Sequence, residues 1–193
     1  MKIIALPMLR PGVDPILAGW LSGQRAFVAT LEQFPELAEP ALVLLDFTGV
    51  DLATSSYLSE VLVPLRDHLR LRRQPGYAVA ANLSEKVREE IEEMLRRSGD
   101  AFLTCATDAS GQISDVQLCG KLDDKLQETL LLVSRKREAT AAQLHEESRT
   151  VDMVGATAWN NRLASLAAKS LVVEVLQGRT KKYRPVLEIA WRD

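Results

Sequence analysis

The sequence predicts an α/β domain with a small mixed sheet over residues 1–120, followed by a small α+β domain of helices and one hairpin over residues 121–193. Three observations predict it. Apolar strand-like runs alternate with helix-period stripes through the first part. The last third reads as helix, helix and hairpin. The charge also changes sign between the parts: residues 1–120 carry 11 Lys and Arg against 16 Asp and Glu, net −5, whereas residues 121–193 carry 13 against 10, net +3. An acidic body joined to a basic end implies two different jobs.

The composition, 47% hydrophobic and 26% charged, supplies enough apolar surface for a core without excess. No segment approaches the roughly 20 uninterrupted apolar residues of a membrane helix. Met1–Arg10 lacks a basic leader followed by a long apolar run and a small-residue cleavage site, so the expected compartment is the cytoplasm, with no membrane partner. Cys105 and Cys119, 14 positions apart, fit neither a zinc knuckle nor a redox pair and are expected to be buried, reduced thiols.

Taken in order, Lys2–Leu9 reads as a strand and Gly23–Phe34 as a helix with Phe27, Leu31 and Phe34 on one face. Ala41–Phe47 is apolar on both faces, the mark of a central strand. Thr54–Arg72 sets Leu58, Val61, Leu62, Leu65 and Leu69 at helical spacing, and Tyr77–Asn82 is another strand. Ser84 caps a helix with a Val87, Ile91, Met94 and Leu95 stripe that stops at Gly99. Ala101–Thr107 and Gln112–Leu118 flank Asp108-Ala-Ser-Gly111, a hairpin signal. In the second part Asp123–Arg137 is an amphipathic helix, and Thr140 with Gln143 makes a capping box for the next. A turn through Val151–Gly155 leads to a third helix with Trp159, Leu163 and Leu166 inward. Leu171–Val175 and Tyr183–Ile189 are strands around the basic turn Gln177-Gly-Arg-Thr180, and Pro185 places the second at an edge.

That helix, helix and hairpin order is the order of a winged helix-turn-helix. The outer face of the third helix offers Thr157, Asn161, Ser165 and Lys169, and Asn160 and Arg162 of the same helix join them as expected DNA contacts. Asn and Arg are the usual readers of adenine and guanine in the major groove. Hairpin cations Arg179, Lys181, Lys182 and Arg184 are spaced to meet phosphates. The segment, with Thr140-Ala-Ala-Gln-Leu144 opening the second helix and Lys182-Tyr-Arg-Pro185 ending the wing, resembles bacterial winged-helix regulators. The resemblance implies binding to double-stranded DNA.

In the first part the run Asp46-Phe-Thr-Gly-Val50 followed by Thr54-Ser-Ser-Tyr-Leu58 resembles the STAS domains of anti-sigma-factor antagonists, over residues 40–118. It is closer to STAS-like regulatory domains in which Asp-Phe-Ser/Thr-Gly-Val precedes Ser-Ser-Phe/Tyr. The resemblance implies a phosphorylation switch at Ser55, flanked by Thr54 and Ser56, and a protein partner at that helix start. The chain departs from the antagonists at Thr54, where they have Asp, and at Tyr57, where they have Gly. Without the resemblance, Thr54, Ser55 and Ser56 read as helix-capping residues.

Asp46-Phe-Thr-Gly-Val50 lacks the lysine and the later magnesium motif of aspartyl-phosphate enzymes, so Asp46 is expected to be a turn residue accepting backbone hydrogen bonds. His68 and His145 have no Cys, His or carboxylate at ligand spacing. Neither catalysis, a metal nor a cofactor is expected. The chain therefore reads as a bacterial DNA-binding transcriptional regulator with a STAS-like input domain. The alternative is an antagonist-like interaction protein whose winged helix docks a partner or closes a homodimer.

Overall fold

The computed structural model describes residues 1–148 and 155–189, a mixed α/β chain that divides into two compact units, residues 1–121 and 122–189. The first unit runs β1 (Lys2–Pro7), β2 (Ile16–Leu17), α1 (Trp20–Gln33), β3 (Ala41–Asp46), β4 (Leu52–Ala53), α2 (Ser55–Arg70), β5 (Gly76–Ala81), α3 (Glu85–Ser98), β6 (Ala101–Thr107) and β7 (Ile113–Gly120). Five strands form one sheet in the order β1-β3-β5-β6-β7, parallel except for β7, which runs antiparallel to β6. β3 is the interior strand its two-faced apolar run predicts: Ala41 through Leu45 are all buried between β1 and β5. Val43 and Leu45 of β3, Ala78 and Ala80 of β5 and Phe102 of β6 share one core with Leu58, Leu62 and Leu65 of α2 and Ile91 and Leu95 of α3. Each buried Val, Leu, Ile or Phe among them contributes about 1.5–3 kcal/mol.

Local chemistry sets the boundaries. α1 begins at Trp20, a turn earlier than the apolar stripe predicts, and ends as Phe34 becomes extended ahead of Pro35, where the ring disfavours helical backbone. Ser84 caps α3 by accepting from the Val87 N–H, and Gly99 closes it in the left-handed region at φ 64. In the β6–β7 turn the exposed Asp108 carboxylate accepts from the Ser110 hydroxyl and from the Ser110 and Gln112 N–H groups. The Ser110 hydroxyl chiefly holds its pKa below the ordinary carboxylate value. The short parallel pair of β2 and β4 has no periodicity to betray it.

One buried ion pair lies inside the unit. Arg66 of α2 meets Asp100 at 3.0 Å and Asp67 at 3.0 Å, and its guanidinium lies over Phe102 at 5.8 Å. Its position beside the Leu62, Leu65 and Leu69 stripe is why no sequence signal separated it from an ordinary solvated arginine.

The second unit runs α4 (Asp124–Lys136), α5 (Ala141–Ser148), α6 (Ala156–Ala168), β8 (Val172–Gln177) and β9 (Thr180–Pro185). Asp123 caps α4 through Leu126 N–H. The expected capping box at α5 is formed: Thr140 N–H donates to Gln143 Oε1 at 2.8 Å and Gln143 N–H to Thr140 Oγ1 at 3.2 Å. Of the expected turn over 151–155, residues 151–154 lie outside the described residues. β8 and β9 pair antiparallel around the two-residue turn Gly178-Arg179. Both strands sit nearer that turn than the sequence predicts, because pairing continues down to Gln177 and Thr180. Ala139, between α4 and α5, exchanges two 2.9 Å backbone hydrogen bonds with Tyr183, so β9 is paired on both sides there and Pro185 falls beyond the bridge. Among the described residues, no helix is long and apolar enough to cross a membrane.

Candidate nucleic-acid interface and helix-start segment

The interface candidates are positioned by α6 and the hairpin. The inner stripe of α6 follows from its spacing: Trp159, Leu163 and Leu166 are fully buried, at one-turn and two-turn intervals. The other side of the helix presents Thr157, Asn160, Asn161 and Ser165 to solvent, and Lys169 is half-buried at the C-cap. These are short hydrogen-bonding side chains, of the kind that reads base edges. The Asn160 amide already donates to the Ala156 carbonyl at 3.2 Å.

Arg162 departs from the expected arrangement. It is only 8% exposed, and its guanidinium lies 4.7 Å from the centre of the Trp159 ring. Three residues from Trp159, it shares the inner face, where cation–π contact holds it. It is therefore placed as a packing residue of α6 and not on the outward row with Asn161 and Ser165.

The hairpin supplies the charge. Arg179, at the turn, and Arg184 are exposed and make no ion pair among the described residues. Lys181 and Lys182 are differently placed: Lys181 pairs with Glu174 at 2.8 Å and Lys182 with Glu138 at 2.7 Å. Glu174 also accepts from the Tyr183 hydroxyl at 3.2 Å. Burial first, and then the Glu174 charge and hydrogen bond, push the Tyr183 phenol up to about 12. Half of the hairpin's four candidate cations are thus held by carboxylates. The sequence marks neither Glu138 nor Glu174 as a partner of these lysines, because the pairing depends on strand register and on the Ala139 bridge.

At the start of α2, Thr54 is the N-cap residue, yet its hydroxyl makes no capping bond to the helix. Instead Thr54 Oγ1 accepts from the Gly19 N–H at 3.3 Å and shares a 3.0 Å hydrogen bond with Ser56 Oγ. The Ser55 N–H donates to the Glu90 carboxylate at 2.8 Å. A carboxylate from α3 therefore occupies the position at a helix N-terminus that favours an anion. Ser56 is exposed, while Thr54 and Ser55 are half-buried. Glu90 stands in a run of four glutamates within five residues (Glu89, Glu90, Glu92, Glu93), and nothing in that run marks it out before α2 and α3 are brought together.

The carboxyl ends of β3, β5 and β6 carry a third polar group. Asp46 accepts from the Thr48 N–H at 3.0 Å, as its turn position predicts, and also from the Thr48 hydroxyl at 2.7 Å and the Asn82 amide at 2.8 Å. Asn82, in the left-handed region at φ 57, also donates to Thr107 Oγ1 and accepts from the Thr107 N–H, both at 2.8 Å. His68 is exposed against the edge of Phe27 at 6.3 Å, and His145 is half-buried on α5.

No protein-family model and no curated protein matches this chain. The fold and the side-chain geometry therefore carry the functional argument.

Proposed function

We propose that residues 122–189 form a winged helix-turn-helix domain that binds duplex DNA, and that residues 1–121 form a STAS-like input domain of a bacterial transcription regulator. The observation that carries the proposal is the exposed row of Thr157, Asn161 and Ser165 on α6 beside a hairpin bearing Arg179, Lys181, Lys182 and Arg184. The pairing of Ala139 with Tyr183 supports it, because that bridge ties the hairpin to the helices and gives the wing a fixed base. In this reading Asn161 and Ser165 meet base edges and the hairpin cations meet phosphates, while Arg162 supports α6 from within. Charge favours the same end of the chain: residues 155–184 carry six basic residues and one acidic residue. Thr54, Ser55 and Ser56 form the input segment, with Ser55 the modified hydroxyl.

The test is a mobility-shift screen of the full chain against fragments of its own genome at about 50 mM salt. Shifted fragments sharing a sequence support the reading; absence of any shift removes it. A second reading is favoured by the Lys181–Glu174 and Lys182–Glu138 pairs, which lower the charge available to phosphates. In it the same surface docks a protein or closes a homodimer, and the chain sediments as a complex or a dimer while leaving DNA unshifted.

A further inference from the structure

A concave site opens in the first unit between the β1–β2 connection and α1, with a volume of about 360 Å³, within the range of small-ligand sites. Its polar lining is cationic. Arg10, Arg25, Ser22 and the Tyr57 ring face it, and no carboxylate does. Neither arginine has an ion-pair partner among the described residues, although Arg10 is half-buried. A half-buried guanidinium without a counter-charge is costly to hold and is matched by an anion.

Tyr57 also lines the site: the residue is 3% exposed, and its hydroxyl makes no hydrogen bond among the described residues, so it can donate to a group bound there. Burial raises its pKa and the Arg10 charge, on the same wall of the site, lowers it. The start of α1 adds to the site: Gly19 gives no side-chain cap and the first turn holds no acidic residue, so its N–H groups favour an anion as well. The rest of the wall is apolar, and Val13 and Ile16, about half exposed, stand at its rim.

We propose that this site binds a small organic anion with a compact apolar body, of the medium-chain carboxylate class. The carboxylate lies between Arg10 and the Tyr57 hydroxyl, and the hydrocarbon lies against Val13, Ile16 and Ala29. Such a ligand replaces two absent partners at once: it neutralises Arg10 and accepts from Tyr57, while its chain covers apolar surface otherwise left in water. The position also suits an input. Tyr57 is in the first turn of α2, and the Thr54 N–H donates to the Leu17 carbonyl at 2.9 Å, so the wall of the site and the Thr54–Ser56 segment are joined. Binding is independent of the proposal for DNA; only its consequence for regulation rests on it.

The experiment titrates the full chain calorimetrically with octanoate, with octanamide as the uncharged isostere and inorganic phosphate as the head without a body. Saturable one-site binding of octanoate is expected, with octanamide and phosphate each weaker by about tenfold or more. Arg10→Ala should weaken octanoate by about tenfold and Tyr57→Phe by a smaller factor, while Ala29→Trp, which fills the apolar wall, should abolish binding. Melting temperatures of the variants confirm that they fold; Arg10→Lys, which keeps the charge, should restore part of the affinity if Arg10→Ala does not fold. Absence of saturable octanoate binding overturns the proposal, as does equal binding of octanamide or an unchanged affinity in folded Arg10→Ala. No DNA enters this titration, so its failure and a failure to shift genomic fragments are separate results.

Discussion

The backbone N–H of Ser55 and the carboxylate of Glu90 lie 2.8 Å apart, so the first turn of α2 already holds an anion from α3. A phosphate or an aspartate at Ser55 competes with Glu90 for the same N–H groups and repels it. Ser55→Asp should therefore destabilise the first unit more than Ser55→Ala does, and Glu90→Gln should remove the difference. The expected coupling is roughly 0.5–3 kcal/mol, as for residues in contact, read by denaturation of the four variants. Strict additivity would show that the residue 55 side chain is directed away from Glu90.

Trp159 is 1% exposed, and its indole N–H has no hydrogen-bond partner among the described residues. Its contribution is therefore volume and the contact with Arg162. Trp159→Ala should cost on the order of 3–5 kcal/mol, and Trp159→Phe distinctly less, since no hydrogen bond is lost. Thermal melts check the order; a Trp159→Ala variant with an unchanged melting temperature but no DNA binding would instead make this residue part of the interface.

Both thiols are buried and free. Burial, then the Asp46 charge, pushes Cys105 up to about 11; burial, then the Glu92 charge, pushes Cys119 up to about 12. At pH 8 no more than roughly one Cys105 in a thousand is a thiolate. An aromatic disulfide reagent at pH 8 should label neither residue in the folded chain and both in denaturant. Rapid labelling of either in the folded chain contradicts this placement.

Gly23 sits where α1 crosses α2: a Cβ there would lie 2.7 Å from the Tyr57 carbonyl oxygen and 2.8 Å from the Glu60 Cβ. In an open helix Gly→Ala stabilises by about 1 kcal/mol. Here the carbonyl cannot yield without moving α2, and overpacking costs about 1–3 kcal/mol. Gly23→Ala should therefore lower the denaturation midpoint; a raised midpoint would mean that the helices separate freely.

These residues also show where the sequence is informative and where it stops. The stripes of α2, α3 and α6, the Ser84 cap, the Thr140–Gln143 box and the all-apolar β3 were legible because each depends on neighbours within a few positions. The start of α1 and the β2–β4 pair were not, because neither depends on periodicity. The partners that matter most at the candidate sites were hidden for a third reason. Glu90 reaches Ser55 across 35 positions and Glu138 reaches Lys182 across 44, and Arg162 is set apart from an outward-facing arginine by its burial and its contact with Trp159. Residue types at the candidate interface could be read from sequence; which of the cations are held by carboxylates required the fold.

The central claim is that the hairpin and α6 bind duplex DNA, and the most direct test is the salt dependence of that binding for the full chain. With Arg179 and Arg184 unpaired among the described residues and Lys181 and Lys182 drawn from their carboxylates, about three to four phosphate contacts are expected, giving a slope of log K against log salt near −3. Affinity should fall roughly 60-fold between about 50 and about 200 mM salt. Replacing Arg179, Lys181 and Lys182 together by Ala should flatten the slope for every sequence, while Asn161→Ala should change which sequence is preferred and leave the slope alone. A slope near zero, or one unaltered by the triple substitution, would contradict the account.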